Sequence, residues 1–180
     1  IGSEGADPKN LGFDINIAGS AIGSPGSYYG ENGYGAIKGA KSRAVPGLEQ
    51  YFHTNTFLSD ALTLEADKEI EKAVAEKRPF YLNMAHYAVH SPFETDKRFI
   101  GHYTDPKKNQ QACAFATLIE GMDKSLGDLM DKLEELGIAE NTLIIFLGDN
   151  GGDAPLGGAA DYGSSAPFKG KKGSEYEGGV

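Results

Sequence analysis

The sequence predicts an α/β fold in which a parallel-rich sheet is flanked by helices. Three observations predict it: an amphipathic helical pattern over 112–136, and two short apolar runs on either side of it, PFYLNMA at 79–85 and TLIIFL at 142–147. Strand, long helix, strand is a βαβ unit, so the two strands run parallel with a right-handed crossover. Their C-terminal ends then share one sheet edge, the edge where open α/β sheets hold ligands.

Residues 1–56 are rich in Gly, Ser, Asn and Tyr and sustain neither a 3.6-residue nor a 2-residue apolar period. They read as irregular surface, with the tyrosines favouring a loop that packs on something. From Thr63 a helix is expected, the hydroxyl serving as N-cap and Leu64, Ala66, Ile70, Ala73 and Val74 forming a stripe as far as Lys77. Pro79 stops it. The run at 79–85 is mostly apolar and short, which fits a strand buried on both faces. Residues 86–105 carry the Pro, His and charge content of a loop. In the next helix Phe115, Leu118, Met122, Leu129, Leu133 and Leu136 recur at helical steps, and Gly137 follows as the C-terminal cap. The run at 142–147 makes the second strand. The chain is expected to divide into an irregular region at 1–56, a βαβ core at 57–150 and a glycine-spaced site loop at 151–180, within one domain.

The 180 residues carry a net charge of −9, which disfavours nucleic acid as a partner. The single cysteine, Cys113, excludes an internal disulfide framework and leaves the redox compartment open. It falls on the apolar face of the long helix, where it reads as a small buried hydrophobe. No run approaches the roughly 18 apolar residues of a membrane span, and no charged-then-apolar signal segment opens the chain. The absence of an initiator Met and a glycine-rich loop ending at Val180 suggest an excerpt from a longer polypeptide.

Four residues at the expected sheet edge could do chemistry. Asp149 and Asn150, followed by two glycines, end the second strand with a carboxylate and an amide oxygen, the hard ligands that Ca2+ or Mg2+ prefer. Asp-Asn-Gly also populates turns for purely conformational reasons, and both readings stand at this point. His90, in AVHSPF, could protonate a leaving alkoxide, although a loop histidine can equally be a solvated one; His86 is the weaker candidate. The loop KGKKGSEYEGG at 169–179 lets backbone N–H groups and a lysine approach an anion closely, since glycine has no Cβ to block it. His53 and His102 lack a neighbouring pattern and read as surface. Tyr28, Tyr29, Tyr34 and Tyr87 could stack on a sugar ring or simply pack.

NLGFD at 10–14, FYLNMAHYAVHSPFE at 80–94, the run from 121 to 152 ending in FLGDNGG, and KGKKGSEYEGG at 169–179 together resemble the central blocks of the sulfatase family of the alkaline-phosphatase-like superfamily. The resemblance implies an incomplete sulfatase core, a catalytic domain whose substrate is a sulfate monoester, in particular of a sulfated carbohydrate. It implies Asp149 and Asn150 as metal ligands for Ca2+ or Mg2+, Lys172 as the lysine on the sulfate and its bridging oxygen, and His90 as the histidine that binds sulfate and protonates the leaving alcohol. It also implies a periplasmic or secreted protein.

The chain departs from the family pattern in several places. Gly148 replaces the serine commonly found before the Asp-Asn pair. The family nucleophile is a formylglycine made within a C/S-x-P/A-x-R motif, and none is present here; it is expected upstream. Cys113 is followed by Ala-Phe-Ala-Thr, and the SAPFK stretch at 165–169 lies beyond the Asp-Asn turn and reads as a decoy. These 180 residues alone are therefore expected to be inactive. Alternatives are a phosphodiesterase or phosphonate hydrolase of the same superfamily, or a non-catalytic glycan-binding pseudoenzyme fragment.

Overall fold

The computed structural model describes residues 7–37, 41–104, 109–157, 160 and 163–180, so residue 105 of the expected loop and four residues of the expected site loop lie outside the described residues. Two helices dominate it. Helix α1 spans Leu58–Ala75 and begins five residues before Thr63, with Phe57 as its N-cap in extended geometry. Tertiary pairing, and not a capping hydroxyl, fixes that start. Tyr29 and Phe57 form an isolated antiparallel bridge, and the Leu58 N–H donates to Tyr28 O at 2.9 Å. Thr63 instead sits inside the helix and returns its hydroxyl proton to Ser59 O at 2.8 Å. The inward face is correspondingly shifted: Ala61, Leu62, Ala66, Ile70 and Ala73 are buried, while Leu64 is exposed.

Helix α2 spans Gln110–Glu135, close to the predicted limits. Asn109 caps it by accepting from the Gln111 N–H at 2.9 Å. At the other end Gly137 adopts φ 68°, which lets the Ile138 N–H reach back to Leu133 O at 3.0 Å. Ala66 and Ile70 of α1 pack on Leu129 and Leu133 of α2, and Lys132 bridges the pair to Glu71 at 2.9 Å.

The described part of residues 1–56 has the irregular backbone expected of it but is not surface. Tyr28, Tyr34 and Leu48 are 0% exposed and join Val45, Phe57, Leu58 and Leu118 in the main core. The Tyr28 ring stacks on Phe57 with centroids 5.6 Å apart, and Tyr29 meets the same ring edge-on. The tyrosines thus fill the layer that a sheet or helix would otherwise supply.

The two apolar runs behave in the opposite way. No strand ladder is formed among the described residues, so the expected parallel pairing of 79–85 with 142–147 is not seen there. Tyr81 is 80% exposed, Leu143 84% and Leu147 81%, against an expectation of burial on both faces. An extended backbone is satisfied and covered only by neighbouring strands, and the described residues provide none. Among them, no helix is long and apolar enough to cross a membrane.

Candidate oxyanion and metal site

The loops around Asp149 and Lys172 meet through their backbones. The Lys172 N–H donates to Gly152 O at 3.0 Å, two residues beyond Asn150. Ser164 Oγ donates to the same carbonyl at 2.9 Å, and the Gly152 N–H donates to Ser165 Oγ at 2.8 Å. Contact is so close that a Cβ on Gly151 would overlap the Gly178 carbonyl. Gly170, at φ +95°, turns the lysine loop back on itself, and the Gly178 N–H closes it onto Lys169 O at 2.8 Å. Ser165 supports the turn as a hydrogen-bond acceptor.

The donors in this cluster have the chemistry of a hard-cation and anion site. Asp149 is exposed, and the Asn150 Nδ2 donates to Gly151 O at 2.9 Å, which leaves its Oδ1 as the acceptor end. A carboxylate and an amide oxygen suit Ca2+ or Mg2+, although Ca2+ takes six to eight oxygens. No group of three His, Cys, Asp or Glu able to hold a metal occurs among the described residues. The pair fits as part of a ligand set. Of the lysines, Lys169 lies 3.9 Å above the Tyr176 ring and Lys171 pairs with Asp153 at 3.3 Å. Lys172 forms no ion pair among the described residues, so its ammonium is uncommitted.

His90 is held by a different part of the molecule. Its backbone N–H donates to Tyr87 O at 2.9 Å, and the one Tyr28 OH proton is shared between Tyr87 O at 2.8 Å and His90 O at 2.7 Å. Glu94 fixes the far end of the loop, accepting from Ser27 Oγ at 2.9 Å and from the Tyr28 N–H at 2.5 Å. Tyr87 OH donates to Ala18 O at 2.7 Å and Tyr29 OH to Thr95 O at 2.6 Å. The backbone is pinned while the imidazole stays exposed, its Nδ1 3.3 Å from Ser91 Oγ. Among the described residues no hydrogen bond or ion pair joins this loop to the Asp149 and Lys172 loops.

Two of the four tyrosines are therefore structural, while Tyr29 and Tyr87 are half-buried with their hydroxyls on Thr95 O and Ala18 O. Tyr28 and Tyr34 are fully enclosed, burial pushes both phenols well above their ordinary range, and neither can stack on a sugar. His53 is exposed, as is His102, which pairs with Glu120 at 2.7 Å. Cys113 is buried on α2. Sequence reasoning missed Glu94, a lone acidic residue after a Pro-Phe pair whose role depends on residues 66 and 67 positions away. It also missed Ser125, which contacts both Thr63 and His86.

A family model described as Sulfatase matches residues 5–180. Mouse arylsulfatase J is 28% identical over 180 residues, covering 96% of this chain and 28% of that protein. Dog N-acetylgalactosamine-6-sulfatase is 31% identical over 71% of this chain and 22% of its own length, and human steryl-sulfatase is 32% identical over 68% and 20%. The crystal structure of Ps i-CgsB in complex with k-i-k-neocarrahexaose superposes with a TM-score of 0.66 at 28% identity, covering 85% of this chain and 35% of that one. The chain belongs to the Sulfatase family and has its alkaline-phosphatase-like fold.

Proposed function

We propose that the chain is the central part of a sulfuric ester hydrolase that cleaves the sulfate monoester of a sulfated carbohydrate. One observation carries the site: the Lys172 N–H to Gly152 O bond sets a lysine with no ion-pair partner beside the Asp149-Asn150 turn. Sulfatases as different as arylsulfatase J, N-acetylgalactosamine-6-sulfatase and steryl-sulfatase support the reaction class. The neocarrahexaose held by Ps i-CgsB supports a sugar as the alcohol.

In this reading Asp149 and Asn150 contribute two oxygens to a Ca2+ or Mg2+ ion, which when bound withdraws charge from the sulfate oxygens. Lys172 neutralises the charge that develops on the bridging oxygen. His90 gives its proton to the leaving alkoxide. The nucleophile is a formylglycine from a segment outside these 180 residues, which are inactive by themselves. The parallel pairing of the two apolar runs, the division at 56 and 150, and a periplasmic or secreted location belong to the same proposal.

The decisive measurement is hydrolysis of an aryl sulfate by the full-length protein, with Asp149→Ala and Lys172→Ala alongside. Turnover is expected to fall by roughly two to three orders of magnitude in either variant, the scale of losing one preorganised charge stabiliser, and to be abolished by a chelator. Unchanged turnover in both variants refutes the site.

A further inference from the structure

A buried chain of hydroxyls between the helices fixes the protonation of His86. Thr63 has one hydroxyl proton and gives it to Ser59 O. Its oxygen lies 2.5 Å from Ser125 Oγ of α2, and with the Thr63 proton already committed the donor in that contact is Ser125. This uses the one proton Ser125 has. Toward His86 Nε2, 3.3 Å away, Ser125 Oγ can then only accept. Nε2 therefore carries the hydrogen, and Nδ1 is the bare acceptor. Nδ1 is enclosed and has no hydrogen-bond partner among the described residues.

We propose that His86 is a positioning residue: as the neutral Nε2–H tautomer it pins the start of the loop bearing His90 to the α1–α2 pair. The anchors from Tyr28, Tyr29, Tyr87 and Glu94 join that loop to residues 18–29. Helix α2 holds the far side of the loop through Phe93 on Phe115 and the Asp96 N–H on Thr117 Oγ1, and His86 is the contact that ties its start to the helices, four residues before the proposed proton donor. The group on the ring is Ser125 Oγ of α2, itself bonded to Thr63 of α1, and burial alone, with no charged neighbour contributing, pushes the imidazole down to about 4. A neutral ring with one committed N–H is a directional tether. A cation there would offer a second donor to an enclosed space that holds no acceptor for it.

The inference deepens the proposed hydrolase reading only through His90, and its structural half can be tested without turnover. In the full-length protein with 15N-labelled histidine, ring-nitrogen resonances assigned by loss in His86→Gln are expected to show protonated Nε2 and bare Nδ1, unchanged between pH 7 and pH 5. The opposite tautomer, or titration near the ordinary histidine value of about 6.5, overturns the proposal. His86→Gln places an amide N–H2 at the reach of Nε2 and should keep kcat within about threefold. His86→Phe and Ser125→Ala remove the tether and should lower kcat by about 10-fold with KM little changed, below the roughly 100-fold that a 1 Å misplacement costs. Equal kcat in wild type, His86→Phe and Ser125→Ala overturns the positioning role. A wild-type protein that cleaves no sulfate ester defeats the hydrolase reading and leaves the tautomer decided by the spectrum.

Discussion

The loop bearing His90 and the paired loops bearing Asp149 and Lys172 are built from different materials. The first is held by side-chain donors and acceptors contributed across 59 to 67 residues of sequence, as when Tyr28 OH grips the carbonyls of Tyr87 and His90 and Glu94 collects Ser27 and the Tyr28 N–H. The second is held by close backbone approach, Lys172 N–H on Gly152 O and Gly151 pressed against Gly178, with the hydroxyls of Ser164 and Ser165 bracing Gly152. Removing an atom is what damages the first; adding one is what damages the second. The difference also sets where precision comes from. A phenol in a core fixes its partners because moving it costs buried volume, whereas a glycine contact fixes its partners only while nothing fills the gap.

The largest expected effect is therefore an addition. Gly151→Ala should displace the lysine loop from the Asp149-Asn150 turn and lower turnover of the full-length protein by about 100-fold or more, with little change in the helix core. Wild-type kinetics in this variant would break the comparison. Next is a subtraction. Tyr28→Phe takes the phenol donor from His90 O and leaves Tyr87 O with the His90 N–H, and should cost about 1–3 kcal/mol in chemical denaturation, with a smaller loss of turnover as the His90 loop loosens. Phe at 28 without a stability change would show that the stacked ring, and not the hydroxyl, holds the loop.

A third effect follows from His86. Its imidazole is neutral in the fold at pH values where an unfolded imidazole, titrating near 6.5, takes up a proton. Unfolding therefore binds protons between about 6.5 and about 4, so stability is full above that window and falls as pH drops through it. Urea midpoints measured across the range should decline on acidification, and more shallowly in His86→Gln. The smallest effect should come from Lys171→Ala. It removes a partly exposed pair with Asp153 at 3.3 Å, a contribution below about 1 kcal/mol, and it should leave turnover near wild type where Lys172→Ala does not.

What the sequence revealed tracks how local each signal is. Helix α2 was legible to within two residues because the 3.6-residue period and Gly137 act within one turn of where they stand, while the cap at Asn109 went unread. The start of α1 was not, since Thr63 has the hydroxyl of a cap while the actual boundary is fixed by Tyr28 and Tyr29, some thirty positions away in the chain. The same distance hid the core role of residues 1–56, whose glycines mask any period while their tyrosines fill the interior. Apolar character marked 79–85 and 142–147 as strands. Whether such runs are buried depends on which strands lie beside them, a property no single run contains. At the site, the glycine spacing of 169–179 announced the close backbone approach, whereas the anchors of His90 carry no local mark.

The exposed run at 142–147 has a consequence for the chain in solution. Thr142 to Leu147 holds six residues with no charge and no proline, all but the first exposed and rich in Ile, Leu and Phe. That is the composition from which stacked cross-β assemblies grow when such a segment stays uncovered. These 180 residues alone should accordingly self-associate with concentration and bind thioflavin, and a single charge at its centre, Ile145→Lys, should keep them dispersed without disturbing either helix.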